Sequence, residues 1–181
     1  MKSTLLHDRE VFRGRILSLH ERDVLLPNGR RARLSIVDHP GAVAIVPVHS
    51  NGDVVLLRQF REAAGGEIWE IPAGTREAGE APARTARREL AEETGLRARR
   101  WSRLGEFFTA PGFCTERMTV YLARGLEAAP GDQDPDEILR PRRVPFREAL
   151  RMADRGLIRD AKTIAGLHLA ERRMTQGSHR P

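Results

Sequence analysis

Between Gly74 and Leu96 the chain reads GTREAGEAPARTARRELAEETGL, and three of its glutamates, Glu89, Glu92 and Glu93, constrain the fold more than any other feature. A loop is predicted to enter a helix near Pro82, because proline in a first turn gives up an N–H that has no helical partner. Gly95 closes that helix, since glycine takes the left-handed C′ conformation at little cost. Ala83, Ala86 and Leu90 recur at helical spacing and form a narrow apolar stripe suited to lying on a sheet. The glutamates fall at i, i+3 and i+4, which puts their side chains on another face, about 5–6 Å apart at Cβ.

Carboxylates so close repel one another, and a helix built only for stability would have lysines among them. A cation is therefore expected. Magnesium or manganese fits, because these hard ions take carboxylate oxygens, keep several waters and bind together with substrate phosphates. Arg88 is placed to orient a carboxylate through a charge-assisted bond. Glu80, at the helix entrance, either completes the acidic lining or complements the positive end of the helix dipole. Taken alone, the triplet also reads as a solvated acidic face.

The wider pattern favours the metal. The stretch resembles the Nudix box, Gly-x5-Glu-x7-Arg-Glu-U-x-Glu-Glu-x-Gly-U with U apolar. Gly74, Glu80, Arg88, Glu89, Leu90, Glu92, Glu93, Gly95 and Leu96 occupy every fixed position. From ordinary residue frequencies, a chance match is on the order of 10⁻⁸ per window.

A chain of 181 residues accommodates one main domain and a small extra layer, and 40% hydrophobic residues supply an ordinary core. Met1-Lys2-Ser3 leads into His7, Asp8, Arg9 and Glu10 rather than an apolar run, so neither a signal peptide nor a membrane span is expected. Cys114 is the single cysteine, which precludes an intrachain disulfide and suggests a reducing cytoplasm. The net charge of +6 does not by itself mark a nucleic-acid binder. Of the 31 basic residues 29 are arginine, scattered among 25 acids, a compositional bias without a basic groove and stacking aromatics.

Along the chain, residues from about 10 to 37 read as a small antiparallel unit. Its apolar runs are Ile16-Leu17-Leu19, Val24-Leu25-Leu26 and Leu34-Ile36-Val37, with a hairpin turn at Pro27-Asn28-Gly29. A strand over 42–48 turns at Ser50-Asn51-Gly52-Asp53 into another over 54–57. His39 and His49 have no partner at metal spacing and read as turn or edge residues. Arg58 and Arg61 are candidate contacts for a diphosphate, Arg61 the stronger, with an exposed strand end as the alternative. Residues 63–66 form a hinge or loop, and 67–71 a strand that ends at the lip of the helix, where the Ala73 carbonyl is a candidate metal ligand.

Beyond the helix, strands are expected over 101–108 and 118–123, with a turn-rich loop at 109–116 between them. Residues 125–136 read as a long mobile loop rich in acids. If it folds over the metals, Asp136 or Glu137 supplies a further ligand or the base for an attacking water. A strand at 138–144, helices at 147–155 and 162–174, and a frayed tail at 177–181 complete the chain.

The resemblance extends to the ADP-ribose pyrophosphatase branch of the Nudix hydrolases. It is carried by His39-Pro40-Gly41-Ala42-Val43, Arg58-Gln59-Phe60-Arg61, Glu70-Ile71-Pro72-Ala73-Gly74, Thr109-Ala110-Pro111-Gly112-Phe113 with Glu116, and Asp160-Ala161-Lys162-Thr163-Ile164. It implies an α/β fold: an α/β/α sandwich around a mixed sheet (41–176), preceded by a small N-terminal antiparallel β unit (1–40) that is shared or packed across a homodimer. It also implies metal-dependent hydrolysis of ADP-ribose to AMP and ribose 5-phosphate, with no membrane or nucleic-acid partner. Glu89 and Glu93 with the Ala73 carbonyl are then the metal ligands, Glu92 a further or water-mediated one, and Arg88 their orienter. Arg61 and Glu70 become substrate contacts, with Arg58, Pro111 and Gly112 beside them. Glu137 matches the base or extra ligand of the late loop, and Glu116 is the second candidate. Two other readings remain: the same apparatus acting on a nucleotide sugar, NADH or an oxidised nucleotide, and a binding module for ADP-ribose or RNA without catalysis. Such modules generally lose box carboxylates, and all four glutamates are present here.

Overall fold

The computed structural model describes residues 1–130 and 138–177. Its backbone divides into two compact units, one made of Met1–Gly41 with Phe108–Arg117, the other of Ala42–Phe107 with the described residues from Met118 onward.

The first unit is a three-stranded antiparallel sheet, β1 (Thr4–Arg13), β2 (Ser18–Leu25) and β3 (Arg31–Asp38), in that spatial order. The turn from β2 to β3 closes with Leu26 N–H on Arg30 O at 2.8 Å, and Gly29 supplies the left-handed φ of +80° that the turn requires. Two sequence expectations need correction. The first strand begins at Thr4, well before the apolar run, and Ile16 and Leu17 lie in the connection to β2 rather than in a strand. The reason is that every residue of β1 is exposed, so no buried face imposes an apolar alternation on it. Cross-strand ion pairs, Arg9 with Glu21 at 2.5 Å and Arg33 with Asp23 at 2.8 Å, take the place of apolar pairs. The segment around Phe113 adds to this unit through Val37 N–H on Phe113 O at 2.7 Å and Thr115 N–H on Val37 O at 2.9 Å.

The second unit is built on β4 (Ala42–Val48), β5 (Asp53–Arg61), β6 (Gly66–Glu70), β7 (Ala73–Thr75), β8 (Leu96–Phe108), β9 (Arg117–Ala128) and β10 (Leu139–Pro145). Their order is β10-β5-β4-β9-β8, with β6 beside β5 and β7 beside β4. The sheet is mixed: β4 runs parallel to β9 and antiparallel to β5 and β7. Helix α1 (Pro82–Thr94) covers one face, while α2 (Phe146–Asp154) and α3 (Ala161–Gly177) cover the other.

Strand β4 shows why this arrangement suits the sequence. Its run AVAIVPV is apolar throughout, as a strand buried on both faces must be. Ala44 and Val46 join Leu56, Val120 and Leu122 beneath Ala149, Leu150, Leu167 and Ala170 of α2 and α3. Val43 and Ile45 join Tyr121 and Ala123 beneath Ala86 and Leu90 of α1. The result is the α/β/α sandwich expected from the resemblance. Pro47, which has no N–H to offer, lies between the residues of β4 that pair with β7 and the one that pairs with β5.

Strands β8 and β9 are longer than the apolar runs suggest, β8 reaching back to Leu96 and β9 forward to Ala128, the latter into residues read as loop. Ion pairs of Arg97 and Arg99 with Glu127 tie these extensions, and charged pairs leave no apolar signature in sequence. The terminal strands β10 and β8 carry exposed arginines, Arg140, Arg142 and Arg143 on one and Arg97, Arg99 and Arg103 on the other. Such charges discourage edge-to-edge pairing with other chains. The expected frayed tail beyond Gly177 lies outside the described residues.

Helix α3 lies close to the sheet at Gly166, where an added Cβ would stand 2.7 Å from Ile71 Cδ1 and 3.3 Å from Val46 Cγ2. Gly166→Leu should therefore destabilise the fold by about 1–3 kcal/mol through overpacking. The thermal unfolding midpoint reads this directly, and an unchanged midpoint would mean that the helix can stand off the sheet freely.

Candidate active site

Helix α1 begins with Pro82 in its first turn and ends at Gly95, whose φ is +64° and whose N–H reaches Ala91 O at 2.9 Å. Its buried residues are Thr85, Ala86, Glu89, Leu90 and Glu93. Glu89 and Glu93 thus lie on the buried stripe with Ala86 and Leu90, not on an opposite face, at 8% and 2% exposure. For these two the solvated-face reading is excluded. Ionised carboxylates are held at such depth only by compensating partners.

Those partners come from the turn between β6 and α1 and from Arg88. The Ala73 N–H donates to Glu93 Oε2 at 2.9 Å, which joins the Ala73 main chain to the helix. Gly74 lies directly under Glu89: a Cβ on it would stand 1.9 Å from the Glu89 carboxylate carbon, so only glycine leaves room for that group. Arg88 reaches Glu89 Oε1 at 2.7 Å, Glu92 Oε2 at 2.9 Å and Glu80 Oε2 at 3.2 Å. Burial opposes the Arg88 charge, but the bonds to Glu80 and the charges of Glu89 and Glu92 outweigh it and raise its pKa above the ordinary guanidinium value. Glu80 is buried, and its bond from Arg88 holds its carboxyl below the usual range against the effect of burial. It accepts from Glu77 N–H at 3.3 Å as well.

The donors gathered here are hard oxygens, which suits magnesium or manganese rather than a softer ion. Among the described residues no three carboxylate, imidazole or thiol groups converge as a ready-made cage. Magnesium usually takes one or two carboxylates, keeps waters and draws its remaining ligands from phosphates. The pocket that Gly74 leaves for Glu89, and the hydrogen bond that positions Glu93, fit such an ion.

A second polar cluster lies at the ends of β5 and β6. Glu70, 2% exposed, takes a bidentate pair from Arg61, Nε on Oε1 at 2.9 Å and Nη2 on Oε2 at 2.8 Å. Lys162 Nζ also reaches Oε2, at 2.7 Å, and Gln59 Oε1 accepts from Arg61 Nη2 at 3.2 Å. Burial raises the Glu70 pKa, yet the two cations overcome it and leave the group lowered. Lys162 carried no site role in the residue reading. The available signal was rarity, since it is one of two lysines in a chain that otherwise uses arginine.

The other candidates are placed differently. Arg58 stacks on Trp69, 5.0 Å from the ring centroid, and pairs with Glu67 at 3.3 Å, so it does not join the Arg61 cluster. Glu116, Pro111 and Gly112 belong to the first unit. There Glu116 accepts from Thr109 Oγ1 at 2.6 Å and lies 3.7 Å from His39 Nδ1. An open cavity of about 430 Å³ in that unit is lined by Arg13, Arg15, Ser18, His39 and Thr115 among others, and by no box glutamate. Asp136 and Glu137 lie outside the described residues.

The NUDIX domain model matches residues 38–167. The chain belongs to the NUDIX domain family. It is 40% identical over 156 residues to an ADP-ribose pyrophosphatase of Bacillus subtilis (strain 168), covering 85% of this chain and 84% of that one. A methanol dehydrogenase activator of Bacillus methanolicus is also 40% identical, over 86% of this chain and 85% of its own. The crystal structure of an ADP compounds hydrolase superposes with a TM-score of 0.85 at 24% identity, covering 100% of this chain and 98% of that chain, and so shares the Nudix fold.

Two outcomes follow from this geometry. Gly74→Ala should push the Glu89 carboxylate aside and weaken Mn²⁺ binding by about 10–100-fold, the usual cost of disturbing a ligand's support, as read by titration calorimetry. Glu70 and Glu80 have pKa values lowered from the usual 4.5, so the stability they confer is present above that value and is lost as the pH falls below it. Chemical denaturation at a series of pH values should show that loss, and Glu70→Gln should flatten it.

Proposed function

We propose that this Nudix protein hydrolyses the pyrophosphate bond of ADP-ribose, giving AMP and ribose 5-phosphate, with Mg²⁺, or Mn²⁺ in its place, as the cofactor. The observation that carries this reading is the pair of buried glutamates, Glu89 and Glu93, fixed to Ala73 and Gly74 of β7, with Arg88 bonded to Glu89. The substrate is supported by the likeness to an ADP-ribose pyrophosphatase over most of both chains.

In this reading Glu89, Glu93, Glu92 and the Ala73 carbonyl would hold the cations. A divalent ion bound there would neutralise phosphate charge and lower the pKa of a bound water. The chain's own residues supply the positioning. Ala73 N–H and Gly74 fix Glu93 and Glu89, and Arg88 bridges Glu80, Glu89 and Glu92. Arg61 offers a planar fork that matches a phosphate, with Glu70 orienting it. Activation of the water is assigned to Glu137, with Glu116 as the second choice. All of this accelerates the reaction by placement and charge, and no covalent enzyme intermediate is involved.

The first unit is assigned to dimerisation. Its sheet leaves Leu5, Phe12 and Leu34 at 54%, 57% and 40% exposure. A homodimer would cover such apolar side chains. No described helix is long and apolar enough to cross a membrane, and with the free Cys114 a cytoplasmic setting suits the chain.

A nucleotide sugar hydrolysed by the same residues is the second reading, supported by the likeness to a GDP-mannose pyrophosphatase, 34% identical over 68% of this chain. Incubation with magnesium and a panel of ADP-ribose, NADH and nucleotide sugars, with products separated by chromatography, decides between them. AMP released fastest from ADP-ribose is the expected result. Glu93→Gln should lower turnover by roughly 10²–10⁴-fold with the fold intact. Near-normal activity of that variant would falsify the assignment.

A further inference from the structure

Glu70 is nearly inaccessible, yet two cations share its carboxylate, and they differ in kind. The Arg61 side chain is 39% exposed, whereas that of Lys162 is 14% exposed. Lys162 is also anchored a second time, to Asp160 Oδ1 at 3.0 Å. Asp160 in turn caps α3 by accepting from Thr163 N–H at 2.9 Å, and Thr163 Oγ1 accepts from Ile71 N–H at 2.8 Å. Lys162 is thus built into a rigid corner, while Arg61 stands at the end of its strand, nearer to solvent. Among the described residues the four groups balance, with two carboxylates and two cations.

An arginine that binds a phosphate must loosen its hold on the carboxylate that carries it. A buried carboxylate stripped of its only cation is strongly unfavourable, and that cost would be charged against substrate binding. We propose that Lys162 is a positioning residue: the standing counter-ion of Glu70, whose presence lets Arg61 trade Glu70 for a phosphate of the substrate. This rests on the proposed function in taking Arg61 as the phosphate contact. It gives the lysine a task that arginine at the same place would perform only in part. A compact ammonium serves one Glu70 oxygen and Asp160 together, whereas a planar fork would engage Glu70 edge-on as Arg61 does.

The test uses Lys162→Met and Lys162→Arg, each alone and with Glu70→Gln, in steady-state hydrolysis of ADP-ribose with magnesium. Lys162→Met should raise KM about tenfold and leave kcat within about threefold, the pattern of lost binding rather than lost chemistry. Lys162→Arg should recover part of that loss. In the Glu70→Gln background the neutral amide needs no counter-ion, so Lys162→Met should change KM by less than about twofold. A fall in kcat at constant KM, or an equal rise in KM in both backgrounds, overturns the proposal. If Lys162→Met does not fold, Lys162→Gln is read in the same way. The Kd of inorganic diphosphate, measured by calorimetry on the same proteins, should follow the same pattern without any turnover. A wild-type protein that leaves ADP-ribose intact thus removes the proposed function, while the diphosphate series still decides the role of Lys162.

Discussion

Arg88 is the contact on which the rest of this structure depends. It stands between Glu80, Glu89 and Glu92, which lie on one short helix and its approach, and it meets all of them. Like charges at helical spacing destabilise a helix, and buried ones do so more, because water no longer screens them. A guanidinium suits this place because its planar fork addresses several oxygens at once and its charge persists when buried. With Arg88 present, the carboxylates share a cationic partner in a partly dry setting. Oxygen donors gathered in this way are what a hard cation requires.

The sandwich serves this arrangement by making the helix position non-negotiable. Ala86 and Leu90 are packed on Val43 and Ile45 of β4, so α1 cannot rotate without opening the core. Glu89 and Glu93 are carried on the same stripe as these apolar residues, and their depth is set by core packing. From the strand side, β7 pairs with β4 at Ala42–Ala44, which fixes Ala73 and Gly74 directly. The opposite face has a corresponding link, since Thr163 of α3 bonds Ile71 at the end of β6. Both helical layers therefore tie down the short segment between β6 and α1, and the functional groups are arranged along it.

The parts legible in sequence were those governed by local rules or by continuous burial. Helix α1, with its proline entrance and glycine exit, the hairpin at Asn28-Gly29 and the apolar strand β4 belong to this group. The less legible parts are those in which charge replaces burial. Strand β1 has no buried face, and the extensions of β8 and β9 are held by arginine–glutamate pairs, so none of them carries the alternation by which strands are recognised. Arg58 was the weaker candidate beside Arg61, both being arginines at one strand end. The difference lies in neighbours distant in sequence, since Trp69 and Glu67 occupy Arg58 while Glu70 and Lys162 surround Arg61.

The sequence alone determined the chemistry on offer: hard oxygen donors at helical spacing with an arginine among them, a glycine before them and one after. These follow from residue type and short-range geometry, which a linear pattern records. Tertiary structure decided which carboxylates are buried, that Gly74 lies beneath Glu89, and that Lys162 meets Glu70 from 92 residues away. Those contacts depend on how α1 and α3 close on the two faces of the sheet, and no local propensity encodes a distance between groups that only packing brings together.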